Sequence, residues 1–285
     1  MKNYFLIFIT LAIFGFSCKV FNPEDEIPSY LYIDDIVVST TANQGTESDN
    51  IIDAWVYVDG SLIGTYELPS KIPIHKQGNC NVQIFAGIKS NTLTNIRVVN
   101  DFFEPYEFTH NSISNKVDTI TPVVTYESTA KIWIEDFEDP GVKFNKLSYS
   151  DTNVFITNMS SEVFEGNGSG VIRFDDSHLF FEAKTNETTF NSFPKAGRPV
   201  YIEIDYKSDE VITLGFYHNN TSSIPVKYEF INLNPTNGIW KKAYINLADG
   251  VSRQISASIF DIYIEVEKNK SVKPEVFIDN IKVIY

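Results

Sequence analysis

Cysteine, histidine, positive charge and helical periodicity are all scarce in this 285-residue chain, and each scarcity excludes something. Two cysteines cannot form a disulfide framework, and with four histidines at no zinc-like spacing they offer no Cys/His metal site. Lys and Arg number 23 against 37 Asp and Glu, a formal net charge of −14. Affinity for nucleic acid rests on cations that neutralise phosphates, so a chain this acidic is not a nucleic-acid binder. Anionic headgroups repel it as well, so membrane association must come from something other than a basic face. The acids are dispersed and not blocked, which suits a solvated surface better than an acidic tail. No stretch keeps a helical period over ten residues, and the apolar run Tyr4 to Phe16 is short for a bilayer span.

That run is nevertheless the first feature present. Met1-Lys2-Asn3 gives a positive start, and Tyr4 to Phe16 is unbroken by charge. Small residues Gly15 and Ser17 precede Cys18, and the chain turns polar and acidic from Lys19. The arrangement resembles a bacterial lipoprotein signal, although Gly15 stands where such signals usually carry Leu. The resemblance implies cleavage after residue 17, a palmitate-type lipid on Cys18 and attachment to the cell envelope, with the outer membrane as the expected location. The alternatives are an ordinary signal peptide with a cysteine near its end, or an uncleaved anchor. Residues 18–28, with Pro23, Glu24, Asp25, Glu26 and Pro28, read as an extended tether. An acylated Cys18 leaves Cys80 without a partner. Its strand-like setting, Asn79-Cys80-Asn81-Val82-Gln83-Ile84, reads as a small buried hydrophobe and not as a nucleophile.

From Tyr30 onward the chain is a succession of short alternating runs rich in Tyr, Phe, Ile and Val, broken by turn residues. The expected fold class is all-β, with two β-sandwich domains over 29–128 and 129–285. In the first, two alternating strands flank Asp59-Gly60, a dipeptide suited to the positive φ of a tight hairpin. The order "VYVDGSLIG", "ELP", turn, strand, "PYEF" resembles a PEGA-type, Ig-like β-sandwich, a spacer or protein-contact module of bacterial envelopes. In the second, "EDFED", "GSGVIRF", "YIEIDYKS", "GIWKKAYINL" and a closing "FIDNIKVIY" resemble the jelly roll of carbohydrate-binding modules of the galactose-binding-like superfamily.

The chemistry on offer is sparse. In "YIEIDYKS", alternation sends Ile202, Ile204 and Tyr206 to the core and Tyr201, Glu203 and Asp205 to the other face. There they meet either water or the hydroxyls and C–H face of a sugar. Of the adjacent Phe180 and Phe181, one must point away from the core, and Tyr217 is a further ring available for stacking. Many modules of the jelly-roll family hold a structural calcium between the opening acidic stretch and the last strand. The resemblance therefore implies Asp136, Glu138 and Asp279 as its ligands, with the hard oxygens that calcium prefers. No catalytic residues are expected. The clustered Glu135, Asp136, Glu138 and Asp139 have no partner carboxylate placed across a cleft, and the Gly166–Gly170 loop leads into a strand, unlike a phosphate cradle. The expected function is glycan binding by a non-catalytic, lipid-anchored envelope protein. The alternative is a structural or adaptor lipoprotein that binds another envelope or secretion-system protein.

Overall fold

The computed structural model describes residues 27–92, 96–185, 190, 193–219, 224–269 and 272–285. Cys18, the signal and most of the tether lie outside the described residues. Regular structure is almost entirely β, as the alternation predicts. The only helix among the described residues is the short Ala248–Arg253.

The strands between Ser29 and Tyr126 surround a first core. Asp53–Val58 and Ser61–Glu67 form the expected hairpin, with Val58 opposite Ser61 and both turn residues at positive φ, 48° for Asp59 and 79° for Gly60. Asp59 also accepts a hydrogen bond from the Asn81 amide at 2.9 Å and pairs with Lys76, so its role is structural. Gly78–Lys89 extends this sheet towards Arg97–Val99 and Tyr106–Ser112. Two three-stranded sheets complete the layer opposite. Each contains a parallel pair, Ser29–Ile33 with Val117–Ile120 and Val37–Ser39 with Val123–Tyr126. Leu31, Val56, Ile72, Val82 and Ile84 are fully buried between the layers, and Cys80 is buried beside them. Its thiol sits 3.7 Å from the His110 carbonyl, and burial raises its pKa. A buried, protonated thiol is the inert residue expected from its strand.

The second sandwich is built from two antiparallel sheets. One runs in the order Val154–Thr157, Ser169–Arg173, Glu275–Ile284, Tyr201–Ser208, Lys241–Asn246, and Ile132–Glu135 also pairs with Glu275–Ile284. The other runs Phe144–Lys146, Phe180–Thr185, Phe260–Glu267, Ile212–His218, Val226–Leu233. Opening and closing segments meet directly, with Ile132 opposite Ile284 and Glu135 opposite Ile281. Between the sheets, Ile172, Ile202, Ile204 and Ile278 face Phe181, Leu214, Phe216 and Ile262 in one continuous apolar core. Removing such aliphatic and aromatic area from water at about 25 cal/mol per Å2 is what holds two sheets face to face.

The two sandwiches share an extensive boundary. Tyr201, Tyr244 and Ile284, all from strands of the second, are buried within the core of the first. Tyr201 packs edge-on against Phe102 with ring centroids 5.3 Å apart and donates to Asp101 Oδ2 at 2.7 Å. The outer face of the first jelly-roll sheet is thereby covered, whereas the outer face of the second carries the half-exposed and exposed side chains of Tyr149, Phe180, Tyr217 and Lys227.

Candidate functional site

The expectation that Tyr201, Glu203 and Asp205 lie on an open sugar-binding face is corrected by this boundary. Their strand alternates as expected, but the N-terminal sandwich covers the polar face, leaving the three residues 1 %, 0 % and 1 % exposed. Charges removed from water need partners, and cross-strand register supplies them. Glu203 stands opposite Lys282, and Asp205 lies between Lys242 and Asp279. Lys242 Nζ is 3.3 Å from Asp205 and 3.7 Å from Glu203. The first sandwich completes the set. Tyr126 donates to Glu203 at 2.8 Å, Ser48 to Asp205 at 3.0 Å, and Lys282 donates to the Thr46 carbonyl at 2.8 Å. This polar cluster joins the two domains, and Tyr201, Glu203 and Asp205 offer no open face of their own.

The uncovered sheet brings together the other predicted residues. Of the adjacent phenylalanines, Phe181 enters the core and Phe180 faces out. In phase with Phe180 come Glu182 and Lys184, and in phase with each other on the neighbouring strand come Asp261, Tyr263 and Glu265. Tyr217 projects from the next strand, opposite Asp261 and Lys227. These side chains converge on Glu182, whose carboxylate accepts from Tyr217 at 2.6 Å, Lys227 at 2.8 Å and Tyr149 at 3.1 Å. Lys227 also pairs with Glu265, and Lys184 pairs with Asp261 at 2.6 Å. Burial pushes the Glu182 carboxyl up, but hydrogen bonds from Lys227 and Tyr217 outweigh it and hold the group below the ordinary Glu value. Burial, reinforced by the Glu182 charge, raises Glu265 against the pull of Lys227. The Tyr217 hydroxyl is raised by burial and by its bond to Glu182, so it remains a donor.

Around this buried polar centre stand rings. Tyr149, 58 % exposed, tilts against Phe180 with centroids 6.0 Å apart. Tyr217 lies 5.4 Å from Tyr263, and the Tyr263 hydroxyl is buried without a hydrogen-bond partner among the described residues. Gly215, opposite Tyr263 in register, makes room for that ring. A Cβ there would stand 2.2 Å from the Tyr228 carbonyl and 2.8 Å from the Tyr263 ring. Phe180 and Tyr217 were legible from the sequence, and Glu182 carried the signal of phase with Phe180 on its own strand, whereas Tyr263, Glu265 and Lys227 lie on strands without a flagged residue. Tyr149, in a loop, carried none.

The calcium expectation does not fit the residues present. Glu138 Oε1 accepts from the amides of Asn167 and Gly168 at 2.7 and 3.0 Å, and Oε2 from the Asn167 side chain at 3.0 Å. The carboxylate rests over Gly166, where a Cβ would collide with it. Asp279 is buried and accepts from Ser169 at 2.6 Å and the Asn280 amide at 2.8 Å. Both carboxylates are engaged by N–H and O–H donors of the loops they anchor. Among the described residues no three His, Cys, Asp or Glu side chains are grouped to hold a metal, so Asp136, Glu138 and Asp279 do not form a ligand set. Glu135 likewise accepts from the amides of Phe137 and Lys143 and stabilises the opening turn.

No protein-family model matches the chain, and no curated protein sequence matches it. Among solved structures, it is similar to a xylan-binding domain from CBM 22 at 12 % identity and TM-score 0.39, over 55 % of this chain and 96 % of that one. It is similar to the CBM22-2 xylan-binding domain of Paenibacillus barcinonensis Xyn10C at 17 % identity and TM-score 0.37, over 53 % and 97 %. A CBM29-2 mutant complexed with cellulohexaose gives 12 % identity and TM-score 0.36, over 55 % and 93 %.

Proposed function

We propose that this chain is a non-catalytic, lipid-anchored envelope protein that binds neutral polysaccharide on the uncovered face of its second sandwich. The observation that carries the reading is the group Tyr149, Phe180 and Tyr217 set around the Glu182–Lys227 pair. Aromatic rings offer flat apolar surface for the C–H face of a sugar. Tyr hydroxyls and the partly exposed Glu265 carboxylate and Lys227 ammonium offer the donors and acceptors that sugar hydroxyls require. The two described lysines beside Glu182, Lys184 and Lys227, are both engaged by carboxylates, which favours a neutral ligand over an anionic one. The first sandwich, PEGA-like in its sequence order, carries the binding domain on a tether from a lipid at Cys18 in the outer membrane.

The test is calorimetric titration with neutral xylo- and cello-oligosaccharides. Tyr149→Ala removes an exposed ring with little structural consequence and is expected to weaken binding about tenfold, or ~1.4 kcal/mol. Failure of every neutral glycan on an array to bind, or binding indifferent to Tyr149→Ala, would remove the proposal and leave the adaptor reading. Mass spectrometry of the mature N-terminus tests the anchor, and an unmodified Cys18 contradicts it.

A further inference from the structure

A cleft of about 500 Å3 opens at the boundary of the two sandwiches, well away from the residues around Glu182. That volume lies in the range typical of small-molecule sites, ~300–1,000 Å3. Its walls come from both domains. Asp49, Asn50 and Lys89 belong to the first, and Phe164, Trp240 and Lys241 to the second. The floor is the covered polar cluster itself, through Asp205, Lys242 and Tyr244. The cleft exists only because the domains are joined there, and its floor is fixed by the same bonds.

Two features give the cleft a chemical character. The first is an aromatic wall. Trp240 and Phe164 are both half-buried, with ring centroids 5.1 Å apart and tilted by 49°. Trp240 is backed by the ammonium of Lys207 at 5.2 Å from its centroid. The second is charge. Acids outnumber bases 37 to 23 in the chain, yet the cleft gathers two lysines, Lys89 and Lys241, that have no carboxylate partner among the described residues. The carboxylates at the cleft are turned to other work. Asp49 accepts from the Ile51 amide at 3.1 Å, and Asp205 is held by Ser48 and Lys242.

We infer that this cleft is a second binding site, selective for an acidic saccharide whose ring stacks on Trp240 and whose anionic group is met by Lys89 and Lys241. An aromatic wall with the exposed side chains of Asn50 and Asn234 beside it suits a sugar ring, and two ammonium groups without carboxylate partners distinguish this site from the charge-compensated face around Glu182. The protein then joins a neutral polysaccharide on one side to an acidic one at the domain boundary.

The experiment is titration of the full chain with galacturonate trimer, a sulfated disaccharide and a neutral xylohexaose. Each is measured on the parent and on Lys89→Gln, Lys241→Gln, Trp240→Ala and Tyr149→Ala. The expected result is binding of an acidic saccharide that weakens as salt rises, falls about fivefold with each lysine change and about tenfold or more with Trp240→Ala, and ignores Tyr149→Ala. The stronger of the two acidic ligands identifies carboxylate or sulfate as the anion. Lys241 is exposed and Lys89 half-buried, and replacing either by the similarly long Gln leaves folding intact, so these changes stand even if Trp240→Ala perturbs the wall. Absence of binding by both acidic saccharides overturns the inference, as does acidic binding that survives all three cleft changes. Xylohexaose binding lost only with Tyr149→Ala reports on the other site alone, so the two readings fail separately.

Discussion

Lys282 and Asp279 belong to one strand and are both buried, yet burial acts on them in opposite directions. Asp279 is pushed up to about 7 by burial, against hydrogen bonds from Ser169 and the Asn280 amide. Lys282 is pushed down to about 8 by burial, against the pull of Glu203. For Asp279 the folded state holds its proton more tightly than the unfolded one. Its contribution to stability is therefore greatest below about pH 4 and is lost as pH rises to about 7. For Lys282 the folded state releases its proton first, so stability rises with pH between about 8 and 10.5. Each slope is expected to amount to on the order of 2–4 kcal/mol, read as urea midpoints across pH 4–10. Asp279→Asn should flatten the acid limb and Lys282→Met the alkaline one. A profile unchanged by either substitution would show that these groups do not titrate with folding. Lys282→Ala, which leaves Glu203 short of its cross-strand cation, should cost ~3–5 kcal/mol. From the sequence, Glu203 was legible as a residue on the strand face opposite the core. Nothing in one strand's pattern says whether that face meets water or a second domain.

Among the elements, glycine positions separate turn chemistry from packing. Gly60 sits in the Asp59-Gly60 hairpin at φ 79° with open space around a would-be Cβ. Gly60→Ala should therefore cost only the left-handed strain of an L-residue, ~1–2 kcal/mol. Gly215 needs no special φ, but its Cβ would collide with the Tyr228 backbone and the Tyr263 ring. Gly215→Ala is accordingly expected to cost ~2–3 kcal/mol through overpacking and to weaken neutral-glycan binding by displacing Tyr263. Denaturation midpoints and titration together check this, and a Gly215→Ala protein with parental affinity would show that Tyr263 does not shape the face. The hairpin was readable because its cause is local, two residues tolerant of positive φ between alternating strands. Gly215 was not, because its neighbours come from strands fixed only by tertiary pairing. The same division holds for Phe180 and Phe181, whose opposition followed from the pleat while the choice between them waited for the register with Phe260–Glu267.

The whole molecule is expected to unfold as one unit. Tyr201, Tyr244 and Ile284 lie in the core of the first sandwich, and Lys282 bonds to Thr46 and Tyr126 of the first sandwich. Calorimetry should give a single transition, and a chain beginning at residue 129 should melt well below it. That shorter chain exposes buried rings and leaves Glu203 and Asp205 without Tyr126 and Ser48. Two resolved transitions, one matching the shorter chain, would show that the boundary contributes little. At this scale lies the division between what the sequence determined by itself and what it left to the tertiary structure. Composition and alternation determined an all-β chain with little positive charge and strands whose inner faces are apolar, because burial of alternate side chains is a local rule written in each strand. Which outer face of the second sandwich stays open, and so which polar and aromatic residues can meet a ligand, was decided only when the first sandwich settled over Tyr201, Glu203 and Asp205. That outcome depends on shape and charge matching between residues from 77 to 157 positions apart, which no strand carries in its own pattern.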